Sequence, residues 1–421
     1  MAITAMLCAS PATLGLVMAL NDHAPTWFTL SLLGALLVLL EDGCGKAKDL
    51  GIAQLVAILA VCGPIVGANA ASDQLAATAG CGSFALALGL TALLRPSRNT
   101  RRAAAAGVAL LAVAGCSAAI LHTAVRHLHV VAAADPRVDL LSGGETIGRN
   151  VGLWWQGLLL LGNGDFFGEH LGFSSLLALV CAALTLAALG GGLAAARKTI
   201  ATGARVSNGE PSPAAIAWAA FWATAIIVLS VGFIVSQAPE DLASSRYLVG
   251  VIYGAAALLP ILGEHGVIKR MLVTAGVIVY GFAGWVGLTQ EQIKPLASPT
   301  DGLAASIARI ARHEHLAVGY AGYWDAAPIT WATKFAIDVF PVTDCYGGQH
   351  VCRFFLHYMT SWYQPKPGTK SFLLSDPETS VPSTPSNDLG PPSAIHHIGP
   401  VTMFVYPYDI ASRFAVEVPP S

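Results

Sequence analysis

The sequence predicts a polytopic α-helical membrane protein of about nine spans followed by a C-terminal extracytoplasmic α/β domain. Three observations predict it. The 421 residues are 54% hydrophobic and 11% charged, with a mean hydropathy of +0.61, whereas soluble domains spend about a quarter of their residues on charge. Apolar runs long enough for a bilayer recur up to Leu288, and Lys and Arg fall in every second loop between them. Beyond Thr289 the chain turns polar and Pro-rich, which no membrane interior would accept.

A bilayer core about 30 Å thick needs roughly 20 mostly apolar residues per helix. The runs lie at Ile3 to Leu20, Thr26 to Leu40, Gly51 to Ala68, Ala76 to Leu94 and Ala103 to Leu121. They continue at Leu171 to Ala196, Pro213 to Val235, Tyr247 to Leu262 and Met271 to Leu288. The first lacks the basic start of a cleavable signal peptide and reads as a retained span. Basic residues cluster at Lys46 and Lys48, at Arg95 to Arg102, at Arg197 to Arg205, and at Lys269 and Arg270. Short cytoplasmic loops keep positive charge, so the N-terminus is expected in the cytoplasm and the tail on the other side of the membrane. Between His122 and His170, Glu145 to Leu161 carries a Glu-Arg pair four residues apart and the Trp154-Trp155 pair, as expected of an amphipathic interfacial helix. The expected division is a transmembrane domain, 1–288, that includes the outer segment 122–170, and an extracytoplasmic domain, 289–421.

In the tail, Gly302 to His313 has the apolar spacing of a helix. Leu316 to Ala321, Ala336 to Val342, Ser371 to Ser375 and Val401 to Tyr406 read as strands, with Asp325 to Lys334 as a helix between the first two. Six of the eight cysteines sit in or beside apolar runs, where a thiol behaves as a small hydrophobe. Cys345 and Cys352 enclose a turn-rich loop and are expected to pair as a disulfide outside the cell.

With a net charge of -2 nothing suggests a nucleic-acid partner, which would need a concentrated basic surface. No Walker loop, dinucleotide fingerprint or HExxH motif occurs, and the His313/His315 and His396/His397 pairs lack metal-ligand spacing. Carboxylates at the outer face are candidate bases, because proximity to lipid raises a carboxyl pKa: Asp22, Asp165, Glu240 and Asp241. Arg246, just ahead of a span, is placed to grip a lipid phosphate or to anchor the interface. In the stretch GYAGYWDAAPITW, Asp325 reads as a helix N-cap, while Tyr323, Trp324 and Trp331 are either core or a sugar-stacking surface.

Several passages, in order, resemble the GT-C superfamily of membrane glycosyltransferases, in particular bacterial relatives of dolichyl-phosphate-mannose protein mannosyltransferases. They are GLVMALNDHAPTWFTL (Gly15 to Leu30), CGPIVGAN (Cys62 to Asn69), WWQGLLLLGNGDFFG (Trp154 to Gly168) and SSRYLVGVIYGAAALLP (Ser244 to Pro260). In the tail they are GYAGYWDAAPITWAT, DVFPV, FFLHYMTSWYQ, KSFLLSD and VTMFVYPYDIASRF. The resemblance implies transfer of a sugar from a polyprenyl-phosphate donor to a glycan, lipid or protein acceptor at the outer face. Arg246, Tyr323, Trp324 and Asp325 would then contact substrate. It names no cofactor, and a divalent metal is compatible with it. The family's catalytic carboxylate lies in its first outer loop, after the first span, several spans ahead of the segment that Gly15 to Leu30 resembles, and those spans are expected to be missing here. Asp165 and Asp22 therefore stand only as candidate bases. Two other classes fit the same pattern: a non-catalytic component that binds lipid-linked glycans, and a polysaccharide polymerase or transporter. The scarcity of charge within the spans argues against transport.

Overall fold

The computed structural model describes residues 24–43, 51–128, 130–132, 143–166, 172–203, 212–237, 239, 241–263, 267–290, 299–345, 350–354, 357–376, 381 and 387–414. The first apolar run, Asp22 and Glu240 lie outside the described residues. By internal contacts the chain forms two compact units. One comprises Met1–His122 and Val138–Gln292, the other Thr123–Arg137 and Ile293–Ser421. The second unit thus takes in a short piece of the segment that the sequence reading grouped with the spans.

The helical unit contains α1 (Ala24–Gly43), α2 (Ile52–Ser72), a π-helical turn (Ala76–Gly82) running into α3 (Ser83–Leu94), and α4 (Arg98–His127), whose end reaches the second unit. Then come α5 (Gly144–Leu161), α6 (Phe173–Gly203), α7 (Pro213–Val235), a 3-10 turn (Leu242–Leu248) running into α8 (Val249–Gly263), and α9 (Val267–Gln290). Among the described residues, seven stretches are long and apolar enough to cross a membrane: Pro25–Asp42, Ile52–Ser72, Ala76–Leu94, Arg98–His127, Phe173–Gly203, Pro213–Val235 and Ser244–Ile261. In α9 the apolar part, Met271–Val286, is shorter. Large apolar side chains remain exposed on these helices, Leu93 at 75% and Ile120 at 70%, as suits surfaces that meet lipid tails.

The helices approach one another through small residues, which is how packing is gained where lipid supplies no hydrophobic drive. A methyl group added at Gly67 of α2 would lie 2.3 Å from the Ala114 carbonyl oxygen of α4. The buried centre gathers Trp27, Leu30, Leu33 and Leu37 of α1 with Phe221, Trp222 and Ile226 of α7. Trp218 of α7 donates its indole N–H to the Ala257 carbonyl of α8 at 2.8 Å, satisfying a donor that lipid could not.

The second unit contains β1 (Val130–Ala132), α10 (Pro299–Glu314), β2 (Val318–Ala321), α11 (Tyr323–Ala332), β3 (Asp338–Asp344), β4 (Val351–Arg353) and β5 (His357–Met359). β6 (Ser371–Ser375), β7 (Ala394–Ile398) and β8 (Val401–Tyr406) complete it. Six strands form one sheet in the order β4-β3-β2-β6-β8-β7, and β1 pairs separately with β5. β2 runs parallel to both β3 and β6, while the outer pairings are antiparallel. The central strands β2 and β6 are buried along their whole length, as continuous apolar runs covered on both faces should be. One face packs Ile307 and Ala311 of α10 and Ala326 and Ile329 of α11 against Phe372, Leu374 and Met403. The other packs Tyr320, Leu373, Phe404 and Tyr406 against Tyr363, Ile410 and Phe414. Gly319 is required at the sheet centre, since a Cβ there would sit 2.0 Å from the Phe372 ring.

The expected helix at Gly302 to His313 and the four expected strands correspond to α10, β2, β3, β6 and β8. One reading is corrected. Asp325 does not cap α11: Gly322 is the N-cap residue, and Asp325 stands in the first turn, where a carboxylate still favours the positive end of the helix dipole.

Candidate functional sites in the helical unit and in the α/β unit

In the helical unit the polar chemistry gathers where α5 meets the end of α7. Asn150 is fully buried in the middle of an otherwise amphipathic helix. Its amide donates to the carbonyls of Ser236 at 2.7 Å, Ile234 at 3.1 Å and Phe233 at 3.4 Å. These carbonyls belong to the last turn of α7, which has no intrahelical partners for them, so Asn150 serves as a remote C-cap. Beside it Arg149 donates from Nη2 to the Pro239 carbonyl at 2.8 Å. Further along, Gly157 lets α5 close onto the 3-10 turn, where a Cβ would meet the Ser245 Cβ at 3.0 Å.

The same 3-10 turn carries Arg246. Asp241 opens the turn by accepting from the Ser244 amide at 3.3 Å, so its carboxylate holds the backbone. Arg246 is half-buried, with Nη2 donating to the Tyr247 hydroxyl at 3.3 Å and its guanidinium 5.1 Å from the Tyr247 ring centre. Asp165 follows the end of α5 and is exposed. The turn before it is fixed, because Gly162 and Gly164 press on α6: a Cβ at Gly164 would lie 2.7 Å from the Ala182 Cα. Asn163 takes a left-handed φ of 55° in that turn, a conformation Asn tolerates better than most residues.

A second polar group escaped the sequence reading. Thr26 and Thr29 of α1 and Asn69 of α2 are buried, and Asn69 donates from Nδ2 to the Thr29 hydroxyl at 2.6 Å. The Thr26 hydroxyl bonds an oxygen of Asp73, whose other oxygen accepts from the Leu75 amide at 2.8 Å. This clasp joins the segments NDHAPTWFTL and CGPIVGAN, and it commits both oxygens of Asp73 to holding helix ends. The signal in the sequence was faint: single Thr, Asn and Asp residues among apolar ones.

In the α/β unit, Tyr323, Trp324 and Asp325 follow the carboxyl end of β2. Their position has meaning because open α/β sheets bind ligands where the connections from a central strand diverge. β2 is such a strand: the chain leaves it for β3 on one side and later reaches β6 on the other. Tyr323 is 40% exposed and stacks on Phe354 with ring centres 4.5 Å apart. Trp324 is 51% exposed and meets Tyr323 edge-on at 5.1 Å. Trp331 is 74% exposed and packs only edge-on against Phe335, itself 64% exposed. Of the two readings left open for these aromatics, burial in the core is therefore overturned. Lys334 and Phe335 both take left-handed φ values, 53° and 60°, which costs roughly 1–2 kcal/mol per residue and turns Phe335 onto Trp331. Cys345 and Cys352 form a disulfide across the β3–β4 hairpin, with Cα atoms 5.1 Å apart.

Among the described residues no group of three or more His, Cys, Asp or Glu is arranged to hold a metal. His396 reaches Glu314 at 3.8 Å, and His350 pairs with Asp388. Among the described residues of this unit, Tyr320, Tyr363 and Tyr406 are buried, as is Asp409. Burial, together with the hydrogen bond to Asp409 at 2.8 Å, holds the Tyr320 phenol well above its usual range. Burial also raises Tyr363, and it pushes Tyr406 up to about 12, with Tyr408 adding to the effect.

Compared with protein-family models, with curated proteins and with solved structures, the chain matches none.

Proposed function

We propose that this chain is an integral membrane glycosyltransferase of the GT-C kind, or the C-terminal part of one, acting on a polyprenyl-phosphate-linked sugar. It would work at the outer face of a bacterial inner membrane, with the α/β unit outside the cell. The observation that supports this most is the cationic interfacial shelf: α5 is locked to the end of α7 by Asn150, with Arg149 on α5 and Arg246 on the 3-10 turn that α5 packs against. A guanidinium just ahead of a span would suit the phosphate of a lipid whose tail stays in the bilayer. The exposed aromatics at the carboxyl end of β2 and on α11 suit the apolar faces of sugar rings.

In the proposed reaction Asp165 takes the proton of an acceptor hydroxyl. The oxygen bonds to the anomeric carbon, the bond from that carbon to the donor phosphate breaks, and polyprenyl phosphate leaves with its charge held by Arg246. Sugar transfer by the full chain in proteoliposomes tests this. Asp165→Asn should lower turnover by about 10²–10⁴-fold and leave donor binding intact. Full activity in that variant would remove Asp165 as the base.

One observation favours a second reading, a lipid-linked-glycan binding component without catalysis. Two outer carboxylates are engaged structurally, Asp241 in opening the 3-10 turn and Asp73 in the α1–α2 clasp. Donor binding without transfer, in the wild type, would select it.

A further inference from the structure

The turn between α3 and α4 and the start of α4 carry Arg95, Arg98, Arg101 and Arg102 within eight residues, and these play no part in the proposed reaction. The turn is built rather than loose. The Thr100 side chain is buried, donates to the Arg95 carbonyl at 2.6 Å and accepts from the Ser97 amide at 3.1 Å, while Ser97 Oγ accepts from the Thr100 amide at 3.1 Å. Over this turn lies an open recess of about 430 Å³, lined by Pro96, Ser97, Arg98, Arg101, Arg102 and Ala105. Its size falls within the roughly 300–1,000 Å³ usual for small-ligand sites. Arg98, Arg101 and Arg102 are exposed.

What rises from the recess decides the ligand. At helical spacing above Arg101 stand Ala105, Val108, Ala112 and Cys116, all exposed, and Gly115 has open space where a Cβ would go. α3 shows Leu86 and Leu93 at 54% and 75% exposure. Guanidiniums at one end of an uncovered apolar stripe match a molecule with a phosphate head and an acyl tail, and a free phosphate would use only half of that surface. The geometry points to a binding site for one anionic phospholipid, its phosphate among Arg98, Arg101 and Arg102 and an acyl chain along the exposed face of α4. It lies at the opposite end of α4 from the segment that leads to α5, so it is separate from the site proposed for the sugar donor.

Native mass spectrometry of the full chain in mild detergent tests it, with dioleoylphosphatidylglycerol and dioleoylphosphatidylcholine as probes. The wild type should retain the anionic lipid at least ten-fold better. The double variant Arg98→Gln, Arg101→Gln should lose about 25-fold in that affinity, roughly five-fold per arginine, and should bind phosphatidylcholine as before. Ala105→Glu, which keeps every arginine but puts a carboxylate in the recess, should lose it too. Arg309→Gln, in the α/β unit, should have no effect. Unchanged phosphatidylglycerol affinity in the double variant would overturn the site. Displacement of the lipid by equimolar inorganic phosphate would overturn the lipid as its ligand.

Discussion

Replacing Asn150 tests how α5 is held. The Asn amide has two N–H donors facing three carbonyls, at 2.7, 3.1 and 3.4 Å, so two bonds operate at full strength. Each contributes about 1 kcal/mol net, and removing the donors also leaves buried carbonyls without partners, at about 1–3 kcal/mol. Interhelical hydrogen bonds in membranes measure somewhat lower, about 0.6–1.7 kcal/mol. Asn150→Ala should therefore destabilise by about 2–3 kcal/mol. Asn150→Asp should do worse, because it sets a carboxylate against the negative end of the α7 dipole. Thermal unfolding in lipid–detergent micelles, followed by circular dichroism, reads the effect, and limited proteolysis should cut first between α4 and α5 or between α5 and α6. A midpoint unchanged in Asn150→Ala, with Asp no worse than Ala, would refute the remote-cap argument.

Three further outcomes follow from the same geometry. Gly67→Ala drives a methyl to within 2.3 Å of a backbone oxygen of α4, which cannot swing aside, so α2 and α4 should separate at a cost of about 1–3 kcal/mol, seen as a lowered unfolding midpoint. Reducing Cys345–Cys352, which are seven apart in sequence, should remove about 2.5 kcal/mol from the α/β unit, and an unfolding midpoint indifferent to reductant would contradict this. In alkali the buried tyrosines keep their protons longer when folded than when unfolded. Their contribution is complete below about pH 10 and is lost as pH rises through the folded values, near 12 for Tyr406, where it is on the order of 3 kcal/mol. Part of the ultraviolet tyrosinate absorbance should appear only together with unfolding in that range, and ionisation of all ten tyrosines before unfolding would contradict the burial argument.

The spans and the central strands were legible because both write a plain pattern. Runs such as Pro213 to Val235 are apolar on every side, and SFLLS is apolar throughout because β6 is covered on both faces. β7 was not legible: AIHHI alternates between partly covered and exposed positions at the sheet edge, and its two histidines read as polar loop. The position of Asp325 was misjudged because Gly322 supplies the extended backbone that starts α11 three residues before an N-cap at Asp325 would. The exposure of Trp324 and Trp331 could not be read from composition, since a ten-residue helix has a hidden and an open face and aromatics suit either. At the candidate site, Arg246 and Asp165 were visible as charges beside spans. Asn150 was not, because a single amide in an amphipathic helix gives no sign that it faces the end of another helix. The Thr26, Thr29 and Asn69 clasp was hidden for the same reason: its partners come together only in three dimensions.

The central claim is recognition of a lipid-borne phosphate at the interfacial shelf, which both readings of the function share. Equilibrium binding of a polyprenyl-phosphate hexose to the full chain in nanodiscs, compared with the free polyprenol, measures it directly. The account predicts saturable binding of the phosphate-bearing lipid alone, weakened at least ten-fold by Arg246→Gln. Equal retention of both lipids, or affinity indifferent to Arg246→Gln, would contradict it.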